Sequence, residues 1–195
     1  MDKIIFATNN SNKVEEIKSV IGNLFEVVSL KDAGIRIDIP EPHATLEENA
    51  TEKSRTIYNI TGENCFSEDT GLEVQALNGE PGVKSARYAG EGKSADENIR
   101  KLLKNLSGKQ NRKARFRTVI SLILQGDEYK FEGICDGEII EAPKGNMGFG
   151  YDSVFVPAGC SKTFAEMPLE EKNRFSHRKK ATEKLASFLS TNGKE

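Results

Sequence analysis

Ala114-Arg115-Phe116-Arg117-Thr118-Val119-Ile120-Ser121-Leu122-Ile123-Leu124 is the stretch on which the fold turns. Phe116, Thr118, Ile120, Leu122 and Leu124 recur at every second residue, the period at which a strand returns its side chains to one face. Gly126-Asp127 then turns the chain into a second strand at Tyr129–Ile134, and Asp136-Gly137 turns it again into Glu138–Glu141. That pattern predicts an antiparallel meander.

On either side of the meander, strand signals alternate with helical ones. Residues 3–7 (Lys-Ile-Ile-Phe-Ala) predict a short buried strand. A helix follows, with Asn12 as N-cap, Glu15 completing a capping box, and Val14, Ile17 and Ile21 on one face. A strand is predicted at Phe25–Leu30. Thr45 and Glu48 form a second capping box, opening a helix with Leu46, Ala50 and Ile57 that ends near Gly62. Cys65–Ser67 and Leu72–Leu77 read as strands flanking an acidic turn, Glu68-Asp69-Thr70-Gly71. Ser94 and Glu97 make a third capping box ahead of Ile99, Leu102, Leu103 and Leu106. Ser153–Pro157 is a further short strand, and Ser176 caps a last helix bearing Ala181, Leu185, Phe188 and Leu189. The expectation is one α/β domain over residues 1–195, with a mixed sheet and two lobes.

Composition narrows the function classes. With 36% hydrophobic and 30% charged residues the chain suits a water-exposed protein with a real core. Its net charge of −2 gives no global basic field for a nucleic-acid polymer, so a polyanionic ligand would need a local basic cluster or a metal ion. No apolar run of membrane-spanning length occurs, and the N-terminal apolar stretch is short for a signal peptide. Cys65, Cys135 and Cys160 are widely spaced, form no metal-binding pair, and fit a reduced, cytoplasmic protein.

Three groups of residues carry chemistry. Thr8-Asn9-Asn10-Ser11-Asn12-Lys13 lies where a strand passes through a loop into a helix, and a helix N-terminus favours anions. Lys13 opposes the helix dipole there, which makes sense if an anion sits beside it. The spacing is not that of a glycine-rich phosphate loop. Acidic residues form the second group. Glu41 lies between prolines in Pro40-Glu41-Pro42, and Asp69 follows a predicted buried strand. Mg2+ takes a few carboxylates and shares itself with phosphates. Glu48 is already explained by its capping box. Basic residues form the third: Lys53, Lys172, His177 and Arg178. His177 and Arg178 open a helix, where cations are disfavoured by about 0.3–1 kcal/mol each unless an anion or polar ligand compensates. Gly148-Phe149-Gly150-Tyr151-Asp152 adds a ring held between glycines, suited to stacking on a flat heterocycle.

The chain resembles the inosine triphosphate pyrophosphatase family over nearly its whole length. The resemblance rests on Phe6–Lys13, Glu48-Asn49-Ala50, Ser67–Leu72, Pro81–Tyr88, Gly148–Asp152 and Phe175–Arg178, six motifs in the family's order. It implies an elongated two-lobed fold, a mixed β-sheet with flanking helices and a central cleft, and usually a homodimer. The implied activity is Mg2+-dependent hydrolysis of deaminated purine nucleoside triphosphates (ITP, dITP or XTP) to the monophosphate and pyrophosphate. Carried over residue by residue, Thr8, Asn9, Asn10, Ser11, Asn12 and Lys13 would cradle the triphosphate with support from Lys53. Glu41 and Asp69 would hold Mg2+, and Asp69, with Thr70 beside it, would receive the proton of the attacking water. Phe149, Gly150, Tyr151 and Asp152 would bound the base, and Lys172, His177 and Arg178 would complete the contacts. Rival readings are a pyrophosphatase of the related Maf type, a nucleotide sensor with a degenerate site, and a single-stranded RNA binder. The last needs a longer basic groove than this chain offers.

Overall fold

The computed structural model describes residues 2–192. Strand β1 (Asp2–Phe6) is followed by helix α1 (Ser11–Ile21), β2 (Phe25–Ser29), α2 (Leu46–Thr61), β3 (Cys65–Val74) and the two-residue β4 (Pro81–Gly82). Next come α3 (Ala95–Asn105), β5 (Lys113–Leu124), β6 (Asp127–Ile139), β7 (Phe155–Pro157), the single-turn α4 (Leu169–Lys172) and α5 (His177–Asn192). The strands form one mixed sheet in the order β2-β1-β3-β5-β6-β7, with β4 paired to β3. β1 runs parallel to β2 and β3, whereas β3–β4 and β6–β7 are antiparallel. This is the α/β fold with a mixed sheet and flanking helices that the alternating pattern implied. No helix among the described residues is long and apolar enough to cross a membrane.

The chain divides into two compact units. One holds the described residues up to Asp69, Thr118–Gly133 and those from Arg178 onward; the other holds Thr70–Arg117 and Ile134–His177. β3, β5 and β6 each contribute residues to both. In the first unit, strand periodicity sends alternate β1 side chains to two apolar layers. Ile4 and Phe6 pack with Ile17, Ile21, Phe66, Leu122 and Leu185, while Ile5 and Ala7 pack with Leu30, Ile57, Cys65 and Ile123. Phe6 and Phe66 are register partners whose rings stack 4.5 Å apart. The second unit has its own core of Leu72, Val74, Leu102, Leu106, Phe116, Phe155 and Phe164. A strand covered on both faces loses its polar alternation. β5 accordingly alternates only as far as Arg117 and is buried without a break from Thr118 to Ile123.

Helix starts came out close to expectation, because capping is local chemistry. Thr45 and Ser94 cap α2 and α3, each accepting the backbone N–H of the glutamate three residues on. At α1 the cap is Asn10, two residues before the expected Asn12, and its Oδ1 accepts from the amides of Asn12 and Lys13. Two expected turns are continuous strand. Glu68-Asp69-Thr70-Gly71 lies within β3, and Asp136-Gly137 lies within β6. Gly137 marks a close approach instead of a turn, since a Cβ there would lie 2.3 Å from the Val156 carbonyl oxygen on β7.

Candidate active site

α2 buries the stripe Leu46, Asn49, Ala50, Lys53, Ser54 and Ile57, spaced at the helical period. Lys53 therefore projects from the inward face, although a lone helical lysine is ordinarily solvated. Its ammonium donates to Glu41 Oε1 at 2.6 Å and to the Glu68 carbonyl at 2.8 Å, and lies 3.4 Å from Asp69 Oδ1. Burial alone would lower the lysine's pKa, but Asp69 and Glu41 outweigh it and hold the ammonium above its ordinary value. Burial pushes the Asp69 carboxyl up, against the pull of Lys53 and Lys13. A carboxylate with raised proton affinity next to a fixed ammonium is suited to accept a proton.

Asn49 fixes the segment that carries Glu41. Its side-chain oxygen accepts the His43 N–H at 3.0 Å and its amide donates to the His43 carbonyl at 3.3 Å. Asn49 belongs to the Glu48-Asn49-Ala50 motif, yet nothing in its spacing marked it as a brace. Glu48 is exposed and bonded to Thr45, in keeping with its capping role.

The neighbouring carboxylate, Glu68, faces a different set of partners. Arg178 Nε and Nη2 meet its two oxygens at 2.9 and 3.2 Å, and Lys13 Nζ lies 2.9 Å from Oε1. Arg178 Nη1 also donates to Glu16, a buried residue on α1 that sequence reasoning missed. Burial would raise the Glu68 carboxyl, but Arg178 and Lys13 override it and hold it well below the usual carboxylate range. The anion that justifies cations at the starts of α1 and α5 is thus carried by the protein itself. Glu41 thus shares Lys53 with Asp69, whereas the carboxylate oxygens of Glu68 serve Arg178 and Lys13. Upstream on the same loop, the Asn10 amide bonds Thr8 Oγ1 and the Asn9 side chain bonds the Ile37 carbonyl, while Ser11 and Asn12 are exposed.

The second unit assembles the aromatic loop. Gly148 takes a φ of +72°, and a Cβ there would fall 2.1 Å from Asp152 Oδ2, so only glycine permits the turn. Asp152 Oδ2 accepts the Phe149 N–H at 2.9 Å and the Lys172 ammonium at 2.7 Å. That ammonium lies 5.2 Å from the centre of the half-buried Phe149 ring, within cation–π range. Lys172 ends α4 and is 3% exposed, so Asp152 holds a buried cation beside an aromatic face. Tyr151 is buried with its hydroxyl on the Ser85 carbonyl. His177 is buried too, its ring stacked 4.6 Å from that of Phe116. Thr70 is half-buried in β3.

The chain thus carries a mixed α/β sheet, a buried carboxylate–ammonium centre in one unit and a cation-flanked aromatic loop in the other. Residues 4–188 match the Ham1 family, and the chain belongs to that family. It is 51% identical over 187 residues to the dITP/XTP pyrophosphatase of Flavobacterium johnsoniae, covering 96% of this chain and 97% of that one. It is 50% identical over 190 residues to the dITP/XTP pyrophosphatase of Porphyromonas gingivalis, covering 97% and 98%. Among solved structures, the Ham1 protein of Staphylococcus aureus superposes with a TM-score of 0.87 at 38% identity, covering 97% of this chain and 99% of that one. A HAM1 protein from Coxiella burnetii superposes with a TM-score of 0.89 at 35% identity, covering 98% and 100%.

Proposed function

We propose that this chain is a Mg2+-dependent pyrophosphohydrolase that converts deaminated purine nucleoside triphosphates (ITP, dITP or XTP) to the monophosphate and pyrophosphate, and so clears them from the nucleotide pool. The observation that carries the reading is the convergence of Glu41 and Asp69 on the Lys53 ammonium. Its substrate class rests on relatives about half identical over nearly the full chain, which bear the name dITP/XTP pyrophosphatase.

The donor set suits the ion. Among the described residues no three His, Cys, Asp or Glu side chains are grouped to hold a metal. Two carboxylates are what Mg2+ asks of a protein when substrate phosphates and water complete its shell. Glu41 and Asp69 would hold it. The chemistry Mg2+ supplies when bound is neutralisation of charge on the phosphates and the leaving pyrophosphate.

The chain's own residues would do the rest. Asp69 would take the proton from a water attacking the α-phosphorus. Lys53 and Lys13 would donate to phosphate oxygens, replacing contacts with Asp69, Glu41 and Glu68 by contacts with substrate. The Asn12 and Lys13 amides are occupied by Asn10, so Lys13 would contribute its ammonium. Transfer of this kind depends on positioning and charge neutralisation more than on a covalent nucleophile.

Base selection would fall to the second unit. A purine stacked on Phe149 would have the Lys172 ammonium at its side, with His177 and nearby backbone as further donors. Hypoxanthine and xanthine present an oxygen at the 6-position, where adenine presents an amino group. A donor left unpaired by adenine costs about 1–3 kcal/mol, or roughly five- to 150-fold in selectivity. Arg178 would serve more as the counter-charge of Glu68 than as a base contact. The family resemblance extends the proposal to a cytoplasmic homodimer.

Incubation with ITP, XTP, dITP, GTP, ATP and dTTP in the presence of Mg2+, with pyrophosphate and orthophosphate measured separately, tests the reading. Pyrophosphate from ITP, dITP and XTP is expected. Preference for dTTP would favour the Maf reading, and binding without turnover would favour the sensor.

A further inference from the structure

The Pro81–Tyr88 motif has no part in the chemistry above, yet one of its residues bonds both to β3 and to the aromatic loop. Ser85 Oγ accepts the backbone N–H of Leu72 at 2.8 Å and donates to the Gly82 carbonyl at 2.6 Å. Gly82 is the register partner of Leu72 in the β3–β4 pair, so the side chain closes the end of that short ladder. On its other side the Ser85 carbonyl accepts the Tyr151 hydroxyl at 2.7 Å, in a setting where both residues are buried. Asn98 steadies the segment, donating to the carbonyls of Ser85 and Ala86 at 3.3 and 3.0 Å and accepting the Ala89 N–H at 2.6 Å.

Tyr151 stands in the Gly148–Asp152 loop, between the ring of Phe149 and the carboxylate that holds Lys172. Leu72 stands three residues beyond Asp69 on β3. All the hydrogen bonds in this path lie in the second unit, and none of them uses a group that the proposed chemistry needs. A phenol has one proton to donate, and that of Tyr151 is committed to the Ser85 carbonyl.

We propose that Tyr151 and Ser85 form a positioning strut, which holds the base-stacking loop to the length of β3 that follows Asp69. Both act through the loop's position: the Tyr151 ring can still bound the base, while its hydroxyl proton goes to the Ser85 carbonyl. The inference deepens the proposed function, on which its kinetic part rests. Loosening the strut lets the stacked base shift relative to His177, whose ring is stacked on Phe116 of β5, the strand beside β3, so discrimination between a keto and an amino purine weakens.

Two hydroxyl deletions, Tyr151→Phe and Ser85→Ala, test the strut when each is read at the opposite end. Hydrogen exchange is followed at Leu72 in Tyr151→Phe and at Phe149 in Ser85→Ala, with Leu102 and Ile120 as reporters of an intact core. Protection is expected to fall about five- to tenfold at the far end in each variant, the scale of one net hydrogen bond, with both reporters unchanged. The kinetic readout is the ratio of kcat/KM for ITP to that for ATP, which a lower folded fraction alone leaves unmoved. It is expected to fall about fivefold or more in Tyr151→Phe. Exchange that changes only at the mutated end overturns the strut, and an unaltered ITP/ATP ratio with altered exchange overturns its role in selectivity. If the unmodified protein hydrolyses neither nucleotide, the proposed function fails, while the crosswise exchange still decides the strut.

Discussion

Replacing Glu68 by glutamine removes one charge and little volume from the most buried ionic cluster of the first unit. The carboxylate accepts two contacts from Arg178 and one from Lys13, and its side chain is wholly shielded from solvent. Breaking one partner of a buried pair typically costs about 3–5 kcal/mol, because the remaining charge stays buried without compensation. Two features place this site at the lower end. Arg178 retains Glu16, and the Lys13 side chain, 17% exposed, can turn to water. A loss of about 3 kcal/mol corresponds to a fall in Tm of roughly 6–12 °C for a chain of this size. Urea or thermal denaturation at neutral pH measures it.

The pH dependence supplies a second signature of the same site. A carboxyl held below its unfolded value of 4.5 stabilises the fold fully above that value. The stabilisation disappears as pH falls towards the folded pKa. Stability of the unmodified protein should therefore decline below about pH 4.5 more steeply than that of Glu68→Gln, and the two curves should converge in acid. A variant within ~1 kcal/mol of the original at neutral pH, with parallel acid limbs, would refute the assignment of Glu68 as the structural counter-charge of Arg178.

Other expectations follow the same geometry. Asp69→Asn should retain ITP binding far better than turnover, checked by equilibrium titration beside steady-state kinetics; near-normal turnover would remove Asp69 from its role. Asn49→Ala should leave the Glu41 segment without its two clamps, lowering kcat/KM about tenfold with less effect on Tm than Glu68→Gln, as read by kinetics and calorimetry on the same samples. Gly137→Ala should cost about 1–3 kcal/mol by urea denaturation, since the added methyl would meet the Val156 carbonyl and the Phe155 ring.

What the sequence disclosed depended on how local the determining physics was. Caps at Thr45 and Ser94 are settled within four residues, and both stood where expected. The Asp-Thr-Gly and Asp-Gly dipeptide chemistry is equally local, but it lost to pairing partners far along the chain. Glu68 is neutralised by an arginine 110 residues away, which lets β3 run straight through the acidic segment. Asp136-Gly137 is drawn into β6 by β7, which needs the absence of a side chain at Gly137. The inward aim of Lys53 was legible in principle, because it shares the helical stripe of Leu46, Ala50 and Ile57. Glu16 was not, since its partner Arg178 lies 162 residues on. The misplaced cations at the two helix starts signalled an anion correctly; only the structure distinguishes a protein carboxylate from a ligand at those points.

In the proposed reaction, water attacks the α-phosphorus of a deaminated purine triphosphate with Asp69 as the proton acceptor. Single-turnover hydrolysis of ITP in 18O-labelled water, followed by mass spectrometry of both products, tests it directly. Attack at the α-phosphorus leaves one 18O atom in the inosine monophosphate and none in the pyrophosphate. Label in the pyrophosphate, or orthophosphate as the first product, would contradict it.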